Sequence, residues 1–525
     1  MKNLLFGLIG IITLQVSAQQ IAKGTVYEDV NGNGKKDRKE KGISNVSVTN
    51  GVQVVKTNED GEYQIEVETD NIIAVIKPTG YALPVDENNI PQFYYIHKPK
   101  GSPKLEYEGT APTGKLPKKI DFGLLPSIEK EEFTILVFGD PQPYTMQDMD
   151  WFEKGIVNEV KGIKNIPFGM SLGDIVGDNL DLHTPYKNIM KQVGIPWYNV
   201  MGNHDMNYAA EEEQYSDETF EAHFGPANYS FNYGKVHFIV LDDILYPDPR
   251  DHKGYYGGFR KDQLDFVEND LKYVPKDYLV VVSFHIPLKD DGGDTFRDED
   301  RNRLFELLLP FKYNLSLSAH THIQRQDFFG KEEGWNGEKP HHEYNVGTTS
   351  GDWYSGKIGA DGTPISVMRD GTPKGYAFIH FNGNMYDTSY KVAGKDASFQ
   401  MQVYAPKVVA KDKSTSARIF VNFFMGSEGD TVEFKIDNGE WKTMFYIEKE
   451  DPSYQELVRE WDTITTLMPG RRSSNPIPCE HLWAAKMLTK LEKGEHTIEI
   501  KATDMFGKTY TTQTTYKVAP SVLGN

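Results

Sequence analysis

The chain is predicted to fold as an α/β core between two β-rich domains. Residues 20–125 contain short alternating apolar runs separated by Asn, Asp and Gly turns, a pattern typical of β-sandwich strands. Residues 131–392 alternate apolar, strand-like runs with helix-like stretches, and residues 398–525 return to the alternating pattern. The Pro-, Lys- and Gly-rich residues 97–118 and the polar residues 391–399 mark the boundaries between the three parts.

Residues 1–18 have the pattern of a secretory signal peptide. Lys2 precedes an apolar run that ends in Val16-Ser17-Ala18, a small-residue cleavage pattern. The apolar run is too short to be a stable membrane span. We therefore expect cleavage after Ala18, no transmembrane anchor, and export to the periplasm, the cell surface or the medium.

Residues 29–40 of the N-terminal part, DVNGNGKKDRKE, match the spacing of an EF-hand calcium loop, with Gly34 at the sharp turn. The residues at the ligand positions are Asp29, Asn31, Asn33, Lys35, Asp37 and Glu40. The flanks are strand-like, so a structural calcium loop within a β-domain is predicted. Residues 24–65 resemble the B domains of bacterial surface proteins, which implies a structural ion rather than catalysis. A polar hairpin loop is the alternative.

Five short motifs in residues 131–392 each end or follow an apolar run: DPQ, LGDIVGDN, VMGNHD, VVVSFHIP and LSLSAHTHIQ. Their polar residues are Asp140, Gln142, Asp174, Asp178, Asn203, His204, His285, His320 and His322. Sites assemble at the carboxyl ends of strands in α/β sheets. Each motif alone is explained by a turn or a core residue, but together they supply enough ligands for two Zn, Fe or Mn ions. Such a pair clamps a phosphoryl group and activates water.

The ordered series D-x-Q, GD, GNHD, H and HTH resembles the calcineurin-like metallophosphoesterase superfamily over about residues 133–385. The usual pattern there is D-x-H, GD, GNH followed by D or E, H, and GHxH. The wider layout resembles exported bacterial members with dedicated N- and C-terminal β-domains. The resemblance implies a four-layer α/β core, with helices flanking a central β-sandwich, and a two-metal centre at one edge.

The resemblance also implies a role for each motif residue. The first metal would be held by Asp140, Gln142, Asp174 and His322. The second metal would be held by Asp174, Asn203, His285 and His320. His204 would not be a ligand but would contact the phosphate and protonate or stabilise the leaving oxygen, and Asp178 would orient it.

Gln142 is the main departure from the superfamily pattern, because it replaces a histidine. Its amide oxygen is a neutral and harder donor than imidazole. The first site is therefore predicted to bind its ion more weakly, or to prefer harder ions such as Mn or Mg. In the alternative, Gln142 makes only hydrogen bonds while water fills its place.

The segment HHEYNVGTTSGDWYSG, residues 341–356, is expected to line a substrate pocket. Trp353 and Tyr354 would stack on a sugar or base, and His341 and His342 would contact phosphate. An ordered surface loop is equally compatible with this composition. Arg369 is a candidate anion clamp or a structural turn residue. In the C-terminal part, the Arg471–Arg472 pair could reach the rim of the site.

The composition limits the classes of partner and ligand. The formal net charge of −19 gives no basic footprint, so we expect no binding to a nucleic-acid backbone. A phosphorylated small molecule, glycan or lipid remains a suitable substrate. Cys479 is the single cysteine, which excludes an intrachain disulfide and a cysteine-ligated metal.

The leading functional hypothesis is an exported two-metal phosphoesterase that cleaves a phosphomonoester or phosphodiester by attack of a metal-bridging hydroxide. The alternative is an exported carbohydrate-binding, surface-binding or adhesion protein with a weakened, structural metal site. The N-terminal domain and Gln142 favour the alternative slightly. His204 argues against it, because a structural metal site has no use for that non-ligand.

Overall fold

The computed structural model describes residues 20–289 and 295–521. The predicted signal peptide, residues 1–18, lies outside the described residues. No helix within the described ranges is long and apolar enough to cross a membrane.

The N-terminal part consists of two four-stranded sheets. Its strands are β1 (Gln20–Glu28), β2 (Ser47–Thr49), β3 (Val54–Lys56), β4 (Glu62–Val67), β5 (Asn71–Ile76), β6 (Tyr81–Ala82), β7 (Tyr94–His97) and β8 (Phe122–Pro126). The sheets have the orders β4-β1-β8-β6 and β3-β2-β5-β7. Alternate residues of β4 are buried, as its sequence pattern predicts. They share one apolar core with residues of β2 and β5, which gives a sandwich.

The described residues of the central part form fourteen strands. They are β9 (Glu132–Phe138), β10 (Gly169–Leu172), β11 (Trp197–Val200), β12 (Tyr229–Tyr233), β13 (Val236–Val240), β14 (Ile244–Leu245), β15 (Tyr256–Gly257), β16 (Leu279–Ser283), β17 (Tyr313–Ser318), β18 (Arg325–Phe329), β19 (His341–Asn345), β20 (Gly356–Lys357), β21 (Gly375–Asn382) and β22 (Met385–Val392). The two large sheets have the orders β11-β10-β9-β21-β22 and β12-β13-β16-β17-β19-β18, and β14 pairs with β15.

In the same described part of the chain, six helices accompany these strands. They are α1 (Met146–Phe152), α2 (Asn158–Val160), α3 (His183–Met190), α4 (Glu218–Phe224), α5 (Lys261–Leu271) and α6 (Asp298–Leu308), with a π-helical turn at Glu153–Val157 between α1 and α2. Short 3-10 turns lie at Leu180–Leu182, Lys191–Val193, Asn203–Asp205 and Glu213–Tyr215.

The burial of β9 shows how the layers stack. Ile135 and Val137 join the core between the two sheets, whereas Phe138 packs against Phe152 of α1 at a ring-centroid distance of 6.1 Å. On β16, Val281 faces the inter-sheet core and Val282 packs with helical residues. Successive strand residues face opposite sides of a sheet, so each central sheet has helices on its outer face. The predicted four-layer α/β core is confirmed.

Strand direction determines where the functional loops meet. β9, β10 and β11 are mutually parallel, and so are β13, β16, β17 and β19. A parallel bridge between Gly139 and Thr348 joins the loop after β9 to the loop after β19. The carboxyl ends of the parallel strands of both sheets therefore lie at one edge of the core.

The C-terminal part is a second β-sandwich-like unit. Its elements are β23 (Met401–Tyr404), β24 (Val408–Ala410), β25 (Arg418–Phe423), β26 (Thr431–Ile436), β27 (Lys442–Thr443), β28 (Phe445–Glu450), α7 (Pro452–Thr463), β29 (Gly470–Arg471), β30 (Pro478–Lys486), β31 (Gly494–Thr503) and β32 (Thr509–Ala519). The sheet orders are β23-β25-β30-β28 and β24-β32-β31-β26-β27, and the sheets share one core. β29 pairs with β20 of the central part.

Candidate metal centre

The five motif loops follow β9, β10, β11, β16 and β17 and meet at the common edge of the two central sheets. Several of the predicted ligands adopt a left-handed backbone. The φ angles are 33° at Asp140, 41° at Gln142, 46° at Asp174, 67° at His320 and 52° at His322. Such conformations cost roughly 1–3 kcal/mol each and persist where the surrounding structure holds them, as at functional sites.

Three predicted ligands of the first metal have a buried polar atom without a hydrogen-bond partner among the described residues. The atoms are Oδ1 of Asp140, Oε1 of Gln142 and Nε2 of His322. Nε2 of His322 lies 3.7 Å from Oδ1 of Asp140. Nδ1 of His322 donates to the carbonyl of Gly351 over 2.7 Å, so Nε2 keeps its lone pair. Buried polar atoms are rarely left unpaired, and this donor set fits a divalent cation.

The orientation of Gln142 favours direct ligation. Its amide nitrogen lies 3.0 Å from Oδ2 of Asp174, and its backbone N–H donates to the Asp174 carbonyl. The opposite orientation of the amide would bring two oxygens together. The amide oxygen of Gln142 is therefore the atom without a partner, and it is available to a metal.

The predicted ligands of the second metal also converge. One ligand atom each from Asp174, His285 and His320 lies within 4.8 Å of the others. Nε2 of His285 is 3.2 Å from Oδ1 of Asp174, 3.1 Å from Oδ1 of Asn203 and 3.2 Å from Nδ1 of His320. Nδ1 of His285 donates to the carbonyl of Leu172 over 2.8 Å, which leaves Nε2 as the potential ligand atom.

Burial and mutual charge set the pKa values of the cluster. Burial raises the pKa of Asp140 to about 8. Burial opposes ionisation of Asp174 too, but the neighbouring His285 and His204 hold its pKa below the ordinary value. Burial, reinforced by His285, lowers the pKa of His320 to about 3, and burial lowers that of His322 to about 4. His320 and His322 are therefore neutral imidazoles, the form that binds a transition metal. His285 differs, because burial would lower its pKa but the neighbouring Asp174 raises it to about 10.

His204 and Asp178 form a pair at the mouth of the site. Nδ1 of His204 lies 2.6 Å from Oδ1 of Asp178, and its backbone N–H donates to Oδ1 of Asp174 over 2.9 Å. The His204 side chain is 25% exposed. Burial would lower the pKa of His204, but Asp174 and Asp178 raise it to about 9. This geometry fits the predicted orienting role of Asp178.

Two buried carboxylates support the ligand loops. Asp205 accepts hydrogen bonds from the backbone N–H groups of Ile175, Val176 and Gly202. Asp243 accepts from the backbone N–H groups of His285 and Ile286. Sequence reasoning missed Asp243, because it belongs to none of the five motifs.

A cleft of about 340 Å³ opens from the metal centre. Trp353 and Arg369 line it. The Trp353 ring stacks on His322 at a centroid distance of 4.1 Å, and the Arg369 guanidinium carbon lies 5.9 Å from the Trp353 ring centroid. Contact of these residues with a substrate remains a prediction.

Two aromatic residues at the site were not predicted. Tyr144 packs edge-on against His204 at 5.9 Å between ring centroids. Tyr255 lines the cleft and packs edge-on against His320 at 6.2 Å. Tyr144 follows the DPQ motif by two residues, which is a weak signal, and Tyr255 has no motif near it.

The structure corrects the predicted substrate roles of His341 and His342. Both are buried on β19, and His341 begins that strand, at the end remote from the metal centre. The ring nitrogens of His341 bind Ser316 and Asn314, and those of His342 bind Tyr386 and Gln326. Hydrogen bonds to the protein occupy both rings, so neither is available to phosphate.

Tyr354 also differs from its prediction. It is buried, its ring lies near that of Trp151, and its hydroxyl donates to the carbonyl of Pro141. It therefore holds the loop after β9, which carries Asp140 and Gln142, instead of stacking on a substrate. Neighbouring residues of an irregular loop commonly point in different directions, and only Trp353 of this pair faces the cleft.

The EF-hand-like loop forms a compact turn after β1. Asp29 accepts from the backbone N–H groups of Asn33 and Gly34, while Glu40 accepts from those of Val30 and Asp37. Side-chain amides of Asn31 and Asn33 donate to Asp37. Lys35 donates its backbone N–H to Oδ1 of Asn33. The carboxylates are thus directed into the loop, and calcium binding there remains a prediction.

Three family models match the chain. Residues 133–324 match calcineurin-like phosphoesterase, residues 30–110 match the N terminal of calcineurin-like phosphoesterase, and residues 343–510 match the C terminal of calcineurin-like phosphoesterase. No curated protein sequence matches.

Two solved structures are similar to the chain at low sequence identity. Purple acid phosphatase PPD1 from yellow lupin (Lupinus luteus) seeds is 11% identical, with 71% of each chain covered and a TM-score of 0.35. GAP50, the anchor in the inner membrane complex of Plasmodium, is 17% identical, with 51% of this chain and 86% of that chain covered and a TM-score of 0.32. Both TM-scores are low, so the assignment rests on the family models. The chain belongs to the calcineurin-like phosphoesterases with N- and C-terminal domains, and it is a metal-dependent phosphoric ester hydrolase.

Proposed function

We propose that the protein hydrolyses a phosphomonoester or phosphodiester of a small molecule, glycan or lipid at a two-metal centre. One observation carries this proposal: the His204–Asp178 pair lies beside the converging ligand atoms but is not part of either ligand set. A site built only to bind a structural metal has no need of such a pair. The family assignment also favours an enzyme over the alternative of a binding or adhesion protein.

Two ligand sets share Asp174 in this proposal. The first set is Asp140, Gln142, Asp174 and His322, and the second is Asp174, Asn203, His285 and His320. Two bound cations would clamp the phosphoryl group and lower the pKa of water that attacks phosphorus. We propose Mn, Fe or Zn, and the neutral amide of Gln142 favours a harder ion at the first position.

His204 would act on the leaving group. Asp178 accepts the Nδ1 proton of His204, which fixes the ring and leaves Nε2 as the nitrogen that can serve the substrate. His204 lines the cleft, so Nε2 could donate a proton to the leaving oxygen as the P–O bond breaks. Arg369 and Trp353 would hold the part of the substrate outside the metal centre.

Two further proposals rest on sequence features. We propose that residues 29–40 take a structural Ca²⁺, which would raise the thermal unfolding temperature of wild type but not of Glu40→Gln.

We propose that the protein is exported, on the signal-peptide pattern alone. Mass spectrometry of the protein from its native host would then find Gln19 as the first residue.

The test of the main proposal is hydrolysis of p-nitrophenyl phosphate and bis-p-nitrophenyl phosphate after reconstitution with Mn, Fe or Zn. His204→Ala should lower kcat by roughly 10²–10⁴-fold, the range of general acid catalysis. The matched control is His380→Ala, because His380 is a half-exposed histidine on β21. Absence of activity in wild type with every metal would contradict the proposal.

A further inference from the structure

A second cleft adjoins the candidate metal centre along Trp353. It has a volume of about 410 Å³ and we name it the arginine cleft. Its lining includes Tyr144, Asp352, Trp353, Arg471, Arg472 and Ser474. These residues come from the first-motif loop, the loop after β19 and the β29 segment. The C-terminal part of the chain therefore contributes directly to the surroundings of the metal centre.

Two aromatic rings form the boundary between the clefts. Trp353 stacks on His322, and Tyr144 packs against His204, so each ring contacts a histidine of the metal centre. Both rings also line the arginine cleft. A Cβ at Gly177 would lie 2.7 Å from the Tyr144 ring, so the backbone there approaches the ring closely and restricts its position. Trp353 thus belongs to the walls of both clefts.

Arg471 presents its charge to this cleft. β29 pairs with β20 through Gly356 and Arg471, which fixes the backbone, and the guanidinium donates to the carbonyl of Trp353. Within residues 20–289 and 295–521, no carboxylate forms an ion pair with Arg471. Arg472 differs, because its Nε and Nη2 bind the carboxylate of Asp462 at 2.6 and 3.0 Å.

Asp352, the carboxylate residue among the described residues that line the cleft, is turned into the protein. Asp352 is buried, and its Oδ2 accepts hydrogen bonds from the backbone N–H of Ser474 and the hydroxyl of Ser355, both over 2.7 Å. It therefore orders the loop that carries Arg471. The exposed charge in the cleft is positive, on a chain whose net charge is −19.

We propose that the arginine cleft binds a second phosphate of the substrate, so that the substrate is a bisphosphorylated small molecule. This rests on the proposed phosphoesterase function. A planar guanidinium matches the geometry of a phosphate. The guanidinium of Arg471 is hydrogen-bonded to the carbonyl of Trp353, the same tryptophan that borders the metal centre. Arg471 would bind the part of the substrate that does not react, which predicts an effect on KM rather than on kcat.

The test compares hexanediol bisphosphate with hexyl phosphate, which differ only in the second phosphate. Wild type should prefer the bisphosphate by about tenfold in kcat/KM, as for one charge-assisted hydrogen bond. Arg471→Gln keeps a donor for the Trp353 carbonyl but removes the charge, so it should abolish this preference through KM. Hydrolysis of hexyl phosphate and p-nitrophenyl phosphate should not change. Arg472→Gln is the matched control and should keep the preference.

Two results would overturn the subsite: equal kcat/KM for both esters in wild type, or an unchanged preference in Arg471→Gln. If no ester is hydrolysed with any metal, the proposed phosphoesterase function fails. The phosphate subsite is then tested separately, by measuring the affinity for the bisphosphate. Calorimetry with hexanediol bisphosphate and the His204→Ala variant, with and without Arg471→Gln, should show about tenfold weaker binding in the double variant. Equal affinities would contradict the subsite.

Discussion

The side-chain amide nitrogen of Gln142 donates a hydrogen bond to Oδ2 of Asp174 over 3.0 Å. This contact joins the residue that departs from the superfamily pattern to the carboxylate expected to bridge both metals. It also directs the amide oxygen of Gln142 away from Asp174, where that atom has no partner among the described residues. Gln142 would thus hold a metal with one end of its amide and position the bridging ligand with the other.

The first prediction concerns Gln142. Gln142→Ala removes a neutral oxygen ligand and should weaken Mn²⁺ binding at the first site roughly 10-fold or more, whereas Gln142→His should tighten it and shift the preference towards Zn²⁺. Metal titration followed by mass spectrometry of metal content measures both. Gln147→Ala, on the exposed side of α1, is the control. Unchanged metal content and rate in both Gln142 variants would place Gln142 outside the coordination shell.

The second prediction concerns Asp178. Asp178→Asn should lower kcat roughly 10- to 100-fold, because His204 loses the acceptor that fixes its ring. Metal content and KM should change little, since Asp178 belongs to neither ligand set. Steady-state kinetics with p-nitrophenyl phosphate test this, with the exposed Asp181→Asn as control. A loss of metal in Asp178→Asn would instead indicate a ligand or a structural residue.

The third prediction concerns the stability of the ligand loops. Asp205→Ala leaves the backbone N–H groups of Ile175, Val176 and Gly202 without their buried acceptor. Unfolding free energy should fall by roughly 3 kcal/mol or more, measured in urea with wild-type and variant proteins. Asp265→Ala removes an exposed ion pair on α5 and should cost less than about 1 kcal/mol. Equal losses in the two variants would contradict the assigned role of Asp205.

The fourth prediction separates two neighbouring aromatic residues. Trp353→Ala removes a wall of the cleft and should raise KM for p-nitrophenyl phosphate several-fold. Tyr354→Phe removes the hydrogen bond to Pro141 and should lower stability by about 1 kcal/mol with KM unchanged. Kinetics and urea unfolding of both variants distinguish these roles. A raised KM in Tyr354→Phe would show that Tyr354 reaches the substrate after all.

The motif residues come together in the structure because each follows a strand that ends at the same edge of the core. Asp140, Asp174 and His320 lie far apart in the chain, but each follows a parallel strand, and parallel strands of the two sheets end at one edge. An ordered series of polar strand ends is therefore enough to predict the cluster. The alternation of apolar residues likewise predicted the β-rich flanking parts.

The periphery of the site could not be predicted in the same way. In sequence, His341 and His342 come only a few residues before the loop that follows β19, at the edge with the metal centre. They belong to β19 itself, however, so their distance from that edge depends on where the strand begins. Asp243, Tyr144 and Tyr255 contact the site residues from other loops. No pattern in the neighbouring sequence predicts such contacts. The arginine cleft depends on the pairing of β29 with β20, a long-range contact between two short strands.

The two-metal centre is tested most directly by anomalous diffraction from crystals of the protein grown with Mn²⁺. Two peaks are expected, about 3.5–4 Å apart, with Asp174 shared between them. Asp140, Gln142 and His322 should complete the coordination of the first ion. Asn203, His285 and His320 should complete that of the second ion. A single peak, or a Gln142 oxygen turned away from the first ion, would contradict this two-metal arrangement.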